Sequence, residues 1–253
     1  MSRSRPVSTA NQERGAHGRI GVIMLDTRFP RFPGDIGNPA TWPFAVELKT
    51  VTGASAEHVV NSTDTQALQP FINAALDLQD AGVCGITTSC GFLALLQNDI
   101  ARHLEVPFIA SSLAQVPWVQ AMLPMGKLVG ILTIDANALS HDHLMAAGVR
   151  GDVPVMGTEQ GKEFHQRILS DAESMDQSLC ERDNVEAALQ LVEQHPNLGA
   201  LVLECTNMAP YANAINTATG LPVYSIYTLM LWFQAGLAPV SFAQSAYARP
   251  DSE

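Results

Sequence analysis

One local pattern occurs twice in this chain. The run Gly85-Ile-Thr-Thr-Ser leads into Cys90, and Gly199-Ala-Leu-Val-Leu-Glu leads into Cys205. From each cysteine it is 17 residues to a proline that opens another apolar segment, Val106-Pro107-Phe108-Ile109 in the first case and Leu221-Pro222-Val223-Tyr224 in the second. Two upstream landmarks recur in the same order: Gly21 precedes Asp26 by five residues, and Gly130 precedes Asp135 by five. The separations Asp26 to Cys90 and Asp135 to Cys205 are 64 and 70 residues. A repeat of this length points to two related half-domains. Each then carries one thiol at the carboxyl end of a buried strand, where open α/β sheets place their ligand sites.

The segments between these landmarks alternate strand and helix. Arg19 to Leu25 is a continuous apolar run ending in Asp26-Thr27, the pattern of a parallel strand covered on both faces. Leu68 to Ala81 carries Phe71, Ala74, Ala75 and Leu78 at helical spacing, with Pro70 in the first turn and Gly82 as a stop. Gly91 to Leu104 reads as a second helix beginning at the first cysteine. In the other half, Val153 to Met156 reads as a short strand, Glu163 to Leu169 as the start of a helix, and Asn184 to His195 as an amphipathic helix broken by Pro196. The expected fold is α/β, with two pseudo-symmetric, doubly wound parallel-sheet lobes and a cleft between them. The expected division is a disordered tail at 1–18, a first lobe from 19–110 plus 225–245, a second from 111–224, and a flexible tail at 246–253. Phe29 to Phe44, with four prolines and two glycines, fits neither strand nor helix. It follows the first strand at the carboxyl edge of the sheet, so it reads as a cleft wall or lid.

Composition narrows the function. Apolar residues make up 47% and charged residues 15%, which is the balance of a packed globule. A net charge of −11 excludes a nucleic-acid-binding surface built on a basic stripe. Met1 to Gly18 is polar and lacks a signal-type apolar core, and no later stretch is long and apolar enough to span a membrane, so a cytoplasmic protein with no membrane partner is expected. In that compartment Cys84, Cys90, Cys180 and Cys205 are expected as free thiols. The partner expected is a small molecule.

A cysteine at a strand end that leads into a helix has main-chain N–H groups nearby, which favour the thiolate. Gly91 removes side-chain bulk beside Cys90 and would let a carboxylate or enolate approach those N–H groups. Thr206 and Asn207 supply equivalent donors beside Cys205. Taking a proton from the carbon next to a carboxylate requires a base on one face, and returning it to the other face requires an acid opposite. One thiolate and one thiol from two quasi-symmetric lobes meet that need, and the scheme requires no cofactor.

The Asp26-Thr27 turn, the two strand-end cysteines, the Cys205-Thr206 pair and the Val-Pro and Leu-Pro strands resemble the cofactor-independent aspartate/glutamate racemase superfamily. That superfamily also includes hydantoin racemases, arylmalonate decarboxylases and maleate isomerases. The resemblance covers residues 19 to 240. It implies that Cys90 and Cys205 are acid and base, that Asp26 and Thr27 orient the first thiol and the substrate, and that Ser89, Thr133 and Thr206 hold the carboxylate or amine. It also implies a homo-oligomer. This chain departs from glutamate racemases in having Gly91-Phe92 after the first cysteine and Asn207 after the second Cys-Thr pair, so Phe92 and Asn207 are expected to set a different substrate. The expected activity is a two-cysteine racemase or epimerase of an amino acid or related carboxylate. A decarboxylase, a maleate-type isomerase and a two-lobed binding protein are the alternatives.

Other features are weighed as structural. Strand alternation turns Glu204 away from Cys205. Ser140-His141-Asp142-His143 lacks a third ligand at metal spacing and reads as a solvated first helical turn. Arg28 and Arg31 are weighed both as solvated loop residues and as partners of a second substrate carboxylate.

Overall fold

The computed structural model describes residues 18–61 and 68–241, so the expected tails, apart from Gly18, lie outside the described residues. Two parallel four-stranded sheets repeat one topology. The first, in the order β2-β1-β3-β4, contains β1 (Ile20–Leu25), β2 (Val46–Val51), β3 (Gly85–Thr88) and β4 (Phe108–Ile109). The second, in the order β6-β5-β7-β8, contains β5 (Leu128–Thr133), β6 (Val155–Gly157), β7 (Leu198–Leu203) and β8 (Val223–Tyr224). The expected pair of doubly wound lobes is the observed architecture. In each sheet the first strand of the half sits inside, and the thiol follows its inner neighbour.

Burial on both faces explains the unbroken apolar runs. Ile23 and Leu25 point into the core that runs through both lobes, whereas Ile20, Val22 and Met24 point to the other face of the first sheet. That second face is covered by a helix from the far end of the sequence, α9 (Ile226–Leu237), through Ile226, Leu229, Met230 and Phe233. The remaining helices are α1 (Ala56–Asn61), α2 (Leu68–Asp80), α3 (Gln97–Ala101), α4 (Val116–Met122), α5 (His141–Ala146), α6 (Phe164–Leu169), α7 (Gln177–Gln194) and α8 (Ala212–Thr219). No helix among the described residues is long and apolar enough to cross a membrane.

Two segments differ from the sequence expectation, and one strand carries no clear signal in the sequence. Gly91 to Leu104 is not one α-helix: Gly91–Leu96 is a 3-10 helix tightened by the Leu93 N–H to Cys90 carbonyl bond of 3.1 Å, and α3 follows it. The amphipathic helix at 184–195 begins earlier, at Gln177, where the Asp176 carboxylate accepts from the main-chain N–H groups of Ser178 and Leu179. The edge strand β2 exposes Leu48, Lys49 and Thr50 between half-buried Glu47 and buried Val51, so its apolar signal is weak. The loop from Phe29 to Phe44 is folded on itself. Trp42 donates its indole N–H to the Ile36 carbonyl at 3.0 Å, and Asn38 caps a 3-10 turn at Pro39–Thr41. Gly34, at φ 102°, lies so close to Pro210 of the second lobe that a Cβ would sit 2.9 Å from its Cα.

Candidate active site

The two thiols occupy equivalent places. Each cysteine is the residue before a 3-10 helix, Gly91–Leu96 for Cys90 and Thr206–Tyr211 for Cys205. Both are buried, and both open onto one hollow between the lobes. The thiol-bearing loops are bonded to each other: the Thr206 hydroxyl donates to the Ser89 carbonyl at 2.6 Å. Ser112, at the crossover between lobes, donates to the carbonyls of Leu203 and Glu204.

Leu25, Phe29, Ala56, Val60, Ile134 and Ile168 make the apolar wall of the hollow. The polar lining includes Thr27, Arg31, Ser89, Glu204 and Asn207 beside the two thiols. The cavity is about 20 Å³, enough for roughly one water. That is smaller than a small organic acid, and the Phe29 side of the wall is tied to the second lobe. The main-chain N–H groups of Arg28 and Phe29 donate to the Asp171 carboxylate of the second lobe at 2.6 and 3.3 Å, and the Arg28 guanidinium pairs with Asp171 and Glu173. Arg28 thus bridges the loop to the second lobe and does not line the hollow. Arg31 lies inside, where its guanidinium donates to Asp35 at 2.9 Å and to the Thr27 hydroxyl at 2.8 Å.

Unequal surroundings distinguish the two thiols. Burial pushes Cys90 up to about 12, and the charge of Glu204 adds to this; the N–H groups of Phe92 and Leu93 and the Arg31 cation pull the other way. Burial also pushes Cys205 well up, again with Glu204 adding, while the Asn207 N–H opposes and the Cys90 and Asp35 charges reinforce. The expectation that strand-end placement favours the thiolate is corrected, because desolvation outweighs the main-chain donors. A chain of bonds fixes the Cys205 proton. Asn207 donates its amide N–H to Asp35 at 2.6 Å, so its carbonyl oxygen faces Cys205 and accepts from the thiol at 3.6 Å. An acceptor of that kind can bond only the protonated form.

Glu204 is the residue that alternation misplaced. The strand ends at Leu203, so the period-two rule stops one residue short of it, and its carboxylate forms part of the wall of the hollow. It is fully buried. One carboxylate oxygen accepts from the Thr133 hydroxyl at 2.7 Å, and the other has no partner. Burial raises its pKa to about 7 against the opposing Thr133 hydroxyl and Ile134 N–H. The space that Gly91 leaves is taken by this side chain rather than kept for a ligand: a Cβ at Gly91 would lie 2.1 Å from Oε1 and 2.4 Å from the Glu204 carbonyl oxygen.

Of the residues singled out from sequence, Cys90, Cys205, Thr27, Ser89, Gly91, Phe92 and Asn207 come together around the hollow. Asp26, Thr133 and Thr206 do not line it. Asp26 is exposed and accepts from the Gly53 N–H at 2.9 Å, Thr133 is engaged with Glu204, and Thr206 is engaged with Ser89. His143 is also corrected, because it is buried rather than solvated, with Ser140 on Nδ1 at 2.8 Å and the Phe92 ring edge-on at 5.1 Å. Among the described residues no cluster of three or more His, Cys, Asp or Glu side chains forms a metal site. Sequence reasoning passed over Asp35 and misjudged Glu204. The available signals were an Arg31–Asp35 pair four residues apart in a proline-rich loop, and one carboxylate in the apolar run Leu198 to Cys205.

No protein-family model matches the chain. Solved structures do. Allantoin racemase from Klebsiella pneumoniae superimposes with a TM-score of 0.62 at 20% identity, covering 93% of this chain and 94% of that one. Glutamate racemase from Bacillus anthracis gives 0.55 at 12% identity, covering 88% and 82%. Arylmalonate decarboxylase gives 0.55 at 14% identity, covering 87% and 92%. The fold is the one these two racemases and the decarboxylase share. Among sequence relatives, dimethylsulfoniopropionate lyase of Durusdinium sp. clade D is 28% identical over 216 residues, 82% of this chain and 71% of that protein. Dimethylsulfoniopropionate lyase 6 of Emiliania huxleyi (strain CCMP1516) is 28% identical over 223 residues, 84% of this chain but 58% of that protein. The racemase fold is thus shared by proteins named as racemases and as a decarboxylase, and the sequence relatives are named as lyases.

Proposed function

We propose that this chain is an enzyme that takes a proton from the carbon next to a carboxylate, and that the resulting carbanion expels a leaving group from the β carbon. Cys90 is the base; Cys205 stays protonated, because a neutral leaving group such as dimethyl sulfide departs without taking up a proton. The observation that carries this reading is the unequal pair of thiols on one hollow. Burial and the Glu204 charge raise both thiols, but at Cys90 two main-chain N–H groups and Arg31 oppose that rise, whereas Cys205 donates its proton to an Asn207 carbonyl locked in place by Asp35 and so is the one held protonated. Arg31 is the cation available to the substrate carboxylate, and it stabilises the enediolate as charge moves onto those oxygens. In the elimination the Cys90 thiolate takes the α proton, the carbon–carbon double bond forms, and the β carbon–heteroatom bond breaks with its electron pair going to the leaving group. For dimethylsulfoniopropionate, the compound in the relatives' name, the products are acrylate and neutral dimethyl sulfide.

A second reading is racemisation, the activity first expected from the sequence, and it is favoured by the presence of both thiols in the same hollow. One experiment separates the two. The full chain is given dimethylsulfoniopropionate and, in parallel, a panel of α-chiral acids, amino acids and hydantoins in D₂O. Dimethyl sulfide is followed by headspace chromatography and α-proton exchange by NMR. Elimination lost by ~10²–10⁴-fold in Cys90→Ser supports the lyase reading. Exchange without elimination supports racemisation, and neither activity would refute both.

A further inference from the structure

The hollow contains one buried charge that the reaction above does not use. Glu204 is fully buried, and one oxygen of its carboxylate has no hydrogen-bond partner. The other oxygen is held by the Thr133 hydroxyl at 2.7 Å, so the group is oriented rather than loose. It forms part of the same wall as Cys90, Cys205 and Arg31. A buried carboxylate with an unfilled acceptor is costly unless it takes up a proton or a positive group arrives.

We propose that Glu204 is the anionic subsite for a positively charged group on the substrate, so that the hollow selects short zwitterions: a carboxylate for Arg31 and an onium or ammonium centre for Glu204. This rests on the proposed α-proton chemistry only for where the carboxylate sits. The rest of the wall is apolar, with Phe29, Ala56, Val60 and Ile168, so a cation admitted on widening of the hollow would meet side chains that favour methyl groups over a hydrated ammonium. The subsite also couples to the thiols. Burial is the largest obstacle to a thiolate at both cysteines and the Glu204 charge adds to it, so a cation that neutralises Glu204 removes that added part. Other charged groups that act on the set are Arg31, which favours the Cys90 thiolate, and Asp35, which opposes ionisation of Cys205. The substrate that fits is then the one that arms the base.

The test uses two shape-matched ligands that cannot undergo ready elimination: 3-(trimethylammonio)propionate, and 4,4-dimethylpentanoate, in which carbon replaces the charged nitrogen. Binding to the full chain is measured by calorimetry at pH 8. The expected result is at least a tenfold preference for the cationic ligand, falling to about onefold in Glu204→Gln. In the unaltered chain the same preference should shrink at pH 5.5, where Glu204 takes up a proton. This arm needs no variant to fold. Equal binding of the two ligands at pH 8, or a preference that survives both Glu204→Gln and low pH, overturns the proposal. Because the readout is binding, a cationic preference without turnover leaves the subsite standing and sinks only the elimination reading.

Discussion

Gly91→Ala is a severe test of how the two lobes meet. Gly91 follows Cys90, and the added methyl group would fall 2.1 Å from the Glu204 carboxylate and 2.4 Å from its main-chain carbonyl oxygen. The carboxylate is tied to Thr133, and the carbonyl accepts from Ser112, so neither is the loose end of a flexible side chain. The strand ends must separate. Overpacking of this kind costs about 1–3 kcal/mol, and contact with main chain places Gly91 at the upper end. Loss of glycine's freedom in the unfolded chain returns about 0.4–1 kcal/mol. The net expectation is a destabilisation of about 2 kcal/mol. With a urea dependence of about 2.5 kcal/mol per molar, the unfolding midpoint should fall by roughly 0.8 M. Gly236→Ala is the control: the position lies in α9 with nothing within 4 Å, so alanine should raise the midpoint slightly. If Gly91→Ala unfolds at or above the wild-type midpoint by circular dichroism, the close approach of Glu204 to the Cys90 loop is wrong.

Two further outcomes are expected. Glu204 should give stability a pH dependence: its pKa rises from 4.5 to about 7 on folding, so the native state holds the extra proton in that window. The stabilisation is complete below 4.5 and is lost as pH rises through 7, by about 3 kcal/mol. Urea midpoints of wild type minus those of Glu204→Gln, measured from pH 4 to 8, should trace that fall, and a flat difference would contradict it. Asp171→Gly suits the φ of 51° at that position yet removes the acceptor for the Arg28 and Phe29 N–H groups. Alkylation of Cys90 and Cys205 by iodoacetamide, mapped by mass spectrometry, should then be several-fold faster. An unchanged rate would mean that entry does not pass the Phe29 wall.

Much of the fold was legible because it rests on repetition. Two unbroken apolar runs, two thiols and two X-Pro strands at equal spacing can be read without side-chain detail, and the parallel sheets with their shared hollow follow from them. What was not legible depended on where elements stop. The alternation rule holds through Leu203 and no further, and the single step beyond it turned Glu204 from a bystander into a wall of the hollow. Gly91 was correctly read as a place where something approaches closely, but the visitor is part of the protein. His143 looked solvated because its neighbours His141 and Asp142 are polar, whereas the capping bonds at Ser140 turn it inward beneath Phe92. Desolvation is a property of the assembled interior, and no spacing in the sequence announces that it will overcome the N–H groups beside a thiol.

The cover that α9 gives to Ile20, Val22 and Met24 carries a consequence for biosynthesis. Synthesis makes β1 before α9, with the rest of the repeat and all of the second sheet in between. Until synthesis passes Phe233, one face of that strand has no native neighbour from α9, while the second lobe can already be assembling. The cover of the first sheet is therefore completed only after the strands of the second have been made, and those three side chains wait for it in the interval.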